Sequence, residues 1–137
     1  MKVQSIVLFA AVLAFAACGP GYKATLSGAN EVPAVTSSAT GSVSASLDGT
    51  KLDVSGTYSG LSGAATAAHI HGPAATTATG PVVCPLVATE GSTAGSGTLS
   101  GECATIVVAD LNANMLYVNV HTAANGGGEI RGQLVKQ

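Results

Sequence analysis

Apolar and polar residues alternate along much of the chain after residue 21. The clearest case is the segment 43–58, in which two alternating runs flank Asp48-Gly49. Successive side chains of a strand point to opposite faces of a sheet, so each run predicts a strand with one buried face. Asp-Gly is a preferred two-residue turn, and the segment therefore predicts a β-hairpin. Its apolar positions are Val43, Ala45, Leu47, Leu52, Val54 and Tyr58.

A second hairpin is predicted near the C-terminus. In "MLYVNVHT", Leu116, Val118 and Val120 fall on one face of a strand. The opposite face carries Tyr117, Asn119 and His121. The glycines of "AANGGG" indicate a turn, and "EIRGQLV" predicts the returning strand.

Shorter segments predict the remaining elements. Strands are expected at 22–27, 65–71, 82–87 and, more weakly, 95–104, while 105–112 is the one stretch that favours a short helix. The segment 28–41 is expected to be a loop or edge, because Pro33 cannot donate to a central ladder. Six to eight short strands separated by turns predict an all-β antiparallel sandwich or barrel.

The N-terminus predicts export. An apolar run, Ile6–Ala17, follows Lys2 and is too short for a permanent membrane span, which is typical of a signal peptide over residues 1–17. "AFAAC" resembles a bacterial lipobox, although Phe15 stands where an aliphatic residue is usual. We therefore expect Cys18 to be lipidated and residues 18–21 to form a short tether. The alternative is ordinary cleavage that leaves Cys18 as a thiol.

Lipidation would place the protein in the bacterial cell envelope, attached to a membrane through its N-terminal lipid. Gly19 after the cysteine is not a recognised retention signal, which favours the outer membrane. The three cysteines fit this prediction, because lipidation of Cys18 leaves Cys84 and Cys103 to pair in an oxidising compartment. Such a disulfide closes a loop of about twenty residues and contributes roughly 3 kcal/mol. Two separate buried thiols are the alternative.

Composition and motif content exclude several classes of function. Five Lys or Arg residues stand against seven Asp or Glu, with no basic cluster, no Trp and few aromatic residues. This composition excludes a nucleic-acid surface, which needs clustered positive charge or stacking platforms. The chain also has no Gly-x-Ser-x-Gly elbow, no obvious carboxylate pair and no phosphate loop. The residues that follow the signal peptide are enough for one domain.

Several motifs resemble one family. "LSGANEVPAV", "AHIHGPA", "GPVV", "LYVNVHT" and "GEIRGQL" occur in an order that is similar to the CHRD domain, over about residues 22–135. We therefore assign 22–137 as a CHRD domain. The resemblance implies an immunoglobulin-like barrel, a distant similarity to copper–zinc superoxide dismutases, and no settled biochemical activity.

The dismutase similarity gives a hypothesis for the histidines. Those enzymes bind copper with an H-x-H pair on one strand and a later histidine on another, and His69, His71 and His121 reproduce this order. Strand alternation also places all three opposite the apolar residues. Residues i and i+2 of a strand lie about 7 Å apart, so both imidazoles can reach one ion. The predicted metal is copper, with zinc as the alternative; a hydrogen-bonded polar cluster without metal is the competing interpretation.

The departures from the dismutases limit this similarity. No histidine remains for their zinc site, so a complete copper–zinc dismutase site is excluded and no enzymatic activity is predicted. Arg131 resembles the arginine that guides the anion in those enzymes. A structural role is the favoured interpretation, in which Arg131 pairs with Glu129 or with a main-chain carbonyl of the "GEIRG" turn.

Two functions follow. The first is a lipid-anchored, non-enzymatic envelope module that binds an envelope protein or a surface polymer, or has a structural role. The second is a copper-binding protein for metal storage, delivery or redox chemistry.

Overall fold

The computed structural model describes residues 19–137. The predicted signal peptide and Cys18 lie outside the described residues. The strands are β1 (Gly21–Ser27), β2 (Thr40–Asp48), β3 (Lys51–Ser59), β4 (Ala65–His71), β5 (Val82–Glu90), β6 (Gly97–Cys103), β7 (Tyr117–Thr122), β8 (Ile130–Gln133) and β9 (Val135–Lys136). The described residues also form one 3-10 turn, Gly28–Asn30, and one short α-helix, α1 (Val108–Asn112).

The strands form a closed antiparallel barrel. Their order is β2-β3-β6-β5-β4-β7-β8-β1, and a β1–β2 pairing closes the circle while β9 extends from β1. Strands β4, β5 and β6 follow one another, and β7 returns to lie beside β4, which is a Greek-key connection. The prediction of an all-β sandwich or barrel is confirmed, and the short helix falls inside the predicted segment 105–112.

The alternating apolar residues fill the barrel. Val43, Leu52, Ile70 and Val118 are fully buried, and the turn between β2 and β3 is at Gly49, whose φ of 62° suits glycine. Leu116 and Ile130 add to the same core. The apolar pattern therefore gives the correct inward face on each of these strands.

The predicted disulfide is present. Cys84 on β5 is bonded to Cys103 at the end of β6, with 5.8 Å between their Cα atoms. Within residues 19–137, no helix is long and apolar enough to cross a membrane.

Strand β7 is buried on both faces. All six of its residues are buried, although alternation predicts one solvated face. The outer face is covered by two loops, because Glu31 of the β1–β2 loop contacts Asn119 and Gly126 of the β7–β8 loop contacts His121. This covered face holds the candidate site.

Candidate metal centre

The barrel register brings the three histidines together. His69 and His71 are two residues apart on β4 and therefore share a face. Across the β4–β7 ladder, His69 pairs with Asn119 and Ala67 pairs with His121, so His121 is the diagonal neighbour of His69. Diagonal neighbours on one face are within reach of long side chains.

The imidazoles converge on one point. One ring nitrogen from each of His69, His71 and His121 lies within 4.8 Å of the other two. His69 Nδ1 and His121 Nε2 are 3.0 Å apart. The predicted clustering of these three side chains is therefore what the structure shows.

Main-chain carbonyls orient two of the rings. His71 Nδ1 lies 3.0 Å from the carbonyl oxygen of Gly80, and His121 Nδ1 lies 3.0 Å from that of Gly126. Because a carbonyl only accepts, each Nδ1 carries the proton and each Nε2 keeps its lone pair. A metal-binding histidine commonly donates its other N–H to such a partner, which fixes the tautomer.

One of these lone pairs has no partner in the part of the chain that the structure describes. His71 Nε2 is buried and makes no hydrogen bond within the described residues. Buried polar atoms are normally paired, so we expect this nitrogen to have a partner outside the protein, either a water molecule or an ion. In contrast, His121 Nε2 accepts a hydrogen bond from His69 Nδ1. When the His69 proton moves from Nδ1 to Nε2 of the same ring, His69 Nδ1 becomes available as a ligand.

Both oriented imidazoles favour the neutral form. Burial lowers the pKa of His71, and the neighbouring His69 and Arg131 charges act in the same direction. Burial likewise lowers the pKa of His121, with the charges of His69 and His71 as further causes. Metal ligation requires the unprotonated ring, so the site is ready to bind near neutral pH.

The donor set fits a transition metal. Imidazole nitrogens bind zinc and copper at about 2.0–2.1 Å, so two ligands of one ion lie no more than about 4.2 Å apart. The observed spread of 4.8 Å requires the widest pair to close by less than ~1 Å, which small ring rotations supply. Three protein nitrogens also leave a coordination position open, a feature of catalytic rather than closed structural zinc sites.

Tyr117 and Arg131 support the centre from one side. The Tyr117 ring stacks on His71, with centroids 5.1 Å apart and planes 9° from parallel. The Arg131 guanidinium carbon lies 3.6 Å from the Tyr117 ring centroid. The strand order β4-β7-β8 thus stacks His71, Tyr117 and Arg131 in three layers. The Arg131 guanidinium is attracted to the face of the Tyr117 ring.

Arg131 does not pair with either partner considered in the sequence analysis. Its Nη2 donates to the main-chain carbonyl of Ala75 at 3.0 Å and to Gln133 at 3.1 Å. Ala75 lies in the β4–β5 loop, outside the "GEIRG" turn. Within residues 19–137, the ion pairs are those that Lys51 makes with Asp53 and Glu102.

Glu129 is held by neutral donors instead. Its carboxylate accepts from the main-chain N–H of Ser62 at 2.9 Å, from Thr122 at 2.8 Å and from Ser37 at 2.8 Å. The Ser62 hydroxyl and the Asn125 amide also donate to it. Glu129 therefore ties the β3–β4 and β7–β8 loops together beside the histidines.

Tyr117, Gly80 and Gly126 belong to the site but were not predicted from the sequence. A usable signal existed for Tyr117, because it shares a predicted strand face with His121. No such signal existed for the two glycines, which contribute only main-chain groups from loops whose path depends on the whole barrel.

The comparisons with known proteins give one match. The family model described as the CHRD domain matches residues 22–134, which confirms the resemblance inferred from the motifs. No curated protein and no solved structure matches the chain significantly.

Proposed function

The chain belongs to the CHRD-domain family, and on that premise we propose that it is a non-enzymatic module of the bacterial cell envelope, anchored by lipid at Cys18. The family model and the closed barrel support a module that presents loops. The signal-like run and the "AFAAC" motif support the lipid anchor. Localisation to the outer membrane is the favoured form of this proposal.

A second function is favoured by a specific observation. His71 Nε2 is a buried lone pair without a hydrogen-bond partner among residues 19–137, beside two further imidazoles. We propose that His69, His71 and His121 bind copper, with zinc as the weaker competitor, because nitrogen sites bind Cu²⁺ more tightly than Zn²⁺. A bound copper ion would supply one-electron redox chemistry. The residues of this chain orient the rings, keep them neutral and restrict water at the covered face of β7.

Metal binding is tested by calorimetric titration of the domain from Gly19 onward with Cu²⁺ and Zn²⁺, followed by electron paramagnetic resonance. We expect one equivalent of copper with a nitrogen-rich spectrum. A His69→Ala, His71→Ala, His121→Ala variant should lose it, while Ser44→Ala, on the exposed face of β2, should retain it. No saturable site in the wild-type domain would overturn the copper proposal.

Lipid anchoring is tested separately on the full chain in a bacterial host. We expect the wild-type protein in the membrane fraction, with the mass of a lipidated N-terminal cysteine. Cys18→Ser should shift the protein to the soluble envelope fraction. An unmodified Cys18 in the mature protein would contradict the anchor and leave the metal proposal untouched.

A further inference from the structure

The stack of His71, Tyr117 and Arg131 places a buried positive charge behind the histidine centre. The Tyr117 ring centroid lies 5.1 Å from that of His71 and 3.6 Å from the Arg131 guanidinium carbon. His71 offers the buried Nε2 atom that a bound metal would use. One aromatic ring therefore separates a ligand of the centre from a guanidinium group.

The charge of Arg131 is weakly shielded. The residue is 1% exposed, and a guanidinium group stays protonated in proteins. Its Nη2 donates to two neutral acceptors, the Ala75 carbonyl and the Gln133 side-chain oxygen, and the ion pairs within residues 19–137 do not include Arg131. Ions in solution screen a buried charge less than an exposed one. The field of Arg131 therefore extends to neighbouring groups.

The protonation of His71 is affected by this field. Burial is the main cause that lowers the pKa of His71, and the positive charge of Arg131 acts in the same direction. Arg131 thus repels a positive charge on the His71 ring. A metal ion held by His71 Nε2 would meet the same repulsion, which grows with the charge of the ion.

The ligand group adds no negative charge of its own. Within the described part of the chain it consists of three imidazoles, without a carboxylate or a thiolate. Each imidazole binds a metal in its neutral form. A bound ion would therefore keep its full charge at the centre, which is two units for Cu²⁺ and Zn²⁺ and one unit for Cu⁺.

Two buried acidic residues bear on the balance of charge. Glu31 interacts with Arg131, but burial raises its pKa to about 7, so Glu31 is mostly protonated at pH 6. Glu129 keeps its negative charge at this pH, because its hydrogen-bond donors outweigh burial and lower its pKa to about 2. The Glu129 charge is the same in every Arg131 variant and does not affect a comparison between them.

We propose that Arg131 acts through the Tyr117 ring as a specificity-determining residue of the histidine centre and favours Cu⁺ over the doubly charged ions Cu²⁺ and Zn²⁺. This inference rests on the proposed copper function and adds the oxidation state that the centre selects. At an effective dielectric constant of about 20, one unit of charge two ring layers away changes the relative affinity by roughly tenfold.

The test compares metal affinities of the chain from Gly19 onward at pH 6. Cu⁺ is measured anaerobically by competition with a colorimetric Cu⁺ chelator, and Cu²⁺ and Zn²⁺ are measured by competitive calorimetry. Relative to Cu⁺, we expect Arg131→Gln to bind both divalent ions about tenfold more tightly than wild type does. For copper, this corresponds to a reduction potential about 59 mV lower.

Further variants separate charge from shape. Arg131→Met is neutral and should behave like Arg131→Gln. Arg131→Lys keeps the positive charge and should restore the wild-type ratio of Cu⁺ to Cu²⁺ affinity. Lys51→Gln removes an exposed, ion-paired charge and should leave the ratio unchanged. The unfolding midpoint of each variant checks its fold.

The ratio of affinities distinguishes this inference from the proposed function. A partial loss of stability or a changed His71 pKa alters both copper affinities of a variant alike, so it cancels in their ratio. Equal ratios in wild type, Arg131→Gln and Arg131→Met would overturn this inference and leave copper binding intact. A ratio in Arg131→Lys equal to that of the neutral variants would also overturn it. Absence of a saturable copper site in wild type would overturn the proposed copper function and this inference together.

Discussion

Glu129 carries the most strongly stabilised charge among the described acidic residues. It is 1% exposed, and burial alone would raise its pKa. Hydrogen bonds from Ser62, Thr122 and Ser37 outweigh that effect and lower the pKa to about 2. Oriented hydroxyl and amide donors thus stabilise this carboxylate where a counterion would otherwise be needed.

This environment predicts acid sensitivity. The unfolded carboxyl has the ordinary value of 4.5, so the unfolded state binds a proton first as the pH falls. The stabilisation is present above pH 4.5 and is lost as the pH falls towards about 2. We expect the free energy of unfolding in urea to fall across this range by up to ~3 kcal/mol.

Glu129→Gln is the matched variant for that measurement. It should be less stable than wild type at pH 7, because the Gln amide nitrogen faces donors, and it should lose most of the acid dependence. If the free energy of unfolding of Glu129→Gln fell with pH as steeply as that of wild type, the acid sensitivity would come from other carboxyl groups.

Glu31 predicts the opposite trend. Burial raises its pKa to about 7, so between pH 4.5 and 7 the folded state holds a proton that the unfolded state has released. Stability should therefore decline as the pH rises through this window. Glu31→Gln keeps the side-chain shape and should show a flatter profile in urea unfolding between pH 5 and 8. Identical profiles for the two proteins would contradict the assignment.

At the scale of elements, β7 and the turn that follows it shape the site. Gly128 has φ of 124°, and a Cβ there would meet the Asn119 amide and the Glu31 carboxyl at 2.5–2.7 Å. The turn can therefore close over β7 only with glycine at this position. The same turn supplies the Gly126 carbonyl that orients His121.

Gly128→Ala should accordingly destabilise the barrel by about 1–3 kcal/mol. It should also weaken copper binding, because the His121 ring loses its fixed orientation. Gly127→Ala is the control, since a Cβ there meets nothing within 4 Å. Thermal unfolding and copper titration of both variants provide the check, and equal behaviour would exclude the proposed role of the turn.

At the scale of the whole molecule, the barrel depends on long-range closure. The β1–β8 and β1–β9 pairings join the first described strand to the last two, and the Cys84–Cys103 bond links β5 to β6. Cross-linking restricts the unfolded chain and so raises the free energy of unfolding.

The double variant Cys84→Ala, Cys103→Ala should therefore lose about 3 kcal/mol, according to the length of the closed loop. Denaturant unfolding of the variant and of the oxidised wild type measures the difference. Wild type reduced with dithiothreitol should unfold at a denaturant concentration close to that of the variant. A difference near zero would show that the bond contributes little to stability.

Most of the fold could be predicted locally. Alternation at 43–58 and 116–121 gave the strands and their inward faces. Asp48-Gly49 placed the turn to within one residue, because Asp48 ends β2 and pairs with Lys51 across Gly49 and Thr50. The site was predictable in part, because the alternation of side chains along each strand placed His69, His71 and His121 on the outer face. The long-range partners of Arg131 and Glu129 could not be predicted, because Ser37, Ser62 and Ala75 come from the β1–β2, β3–β4 and β4–β5 loops, which no pattern places.

The sequence by itself determined the all-β class, the facing of the strands at 43–58, 65–71 and 116–121, and the family, since these depend on residue spacing and motif order. Only the tertiary structure decided that β7 is buried on both faces, that Gly80 and Gly126 orient the imidazoles, and that Arg131 stacks on Tyr117. These features depend on the register between β4 and β7, which makes His69 and His121 diagonal neighbours, and on the loops that fold over these two strands. Such contacts join residues far apart in the chain, and their geometry exists only once the barrel has closed.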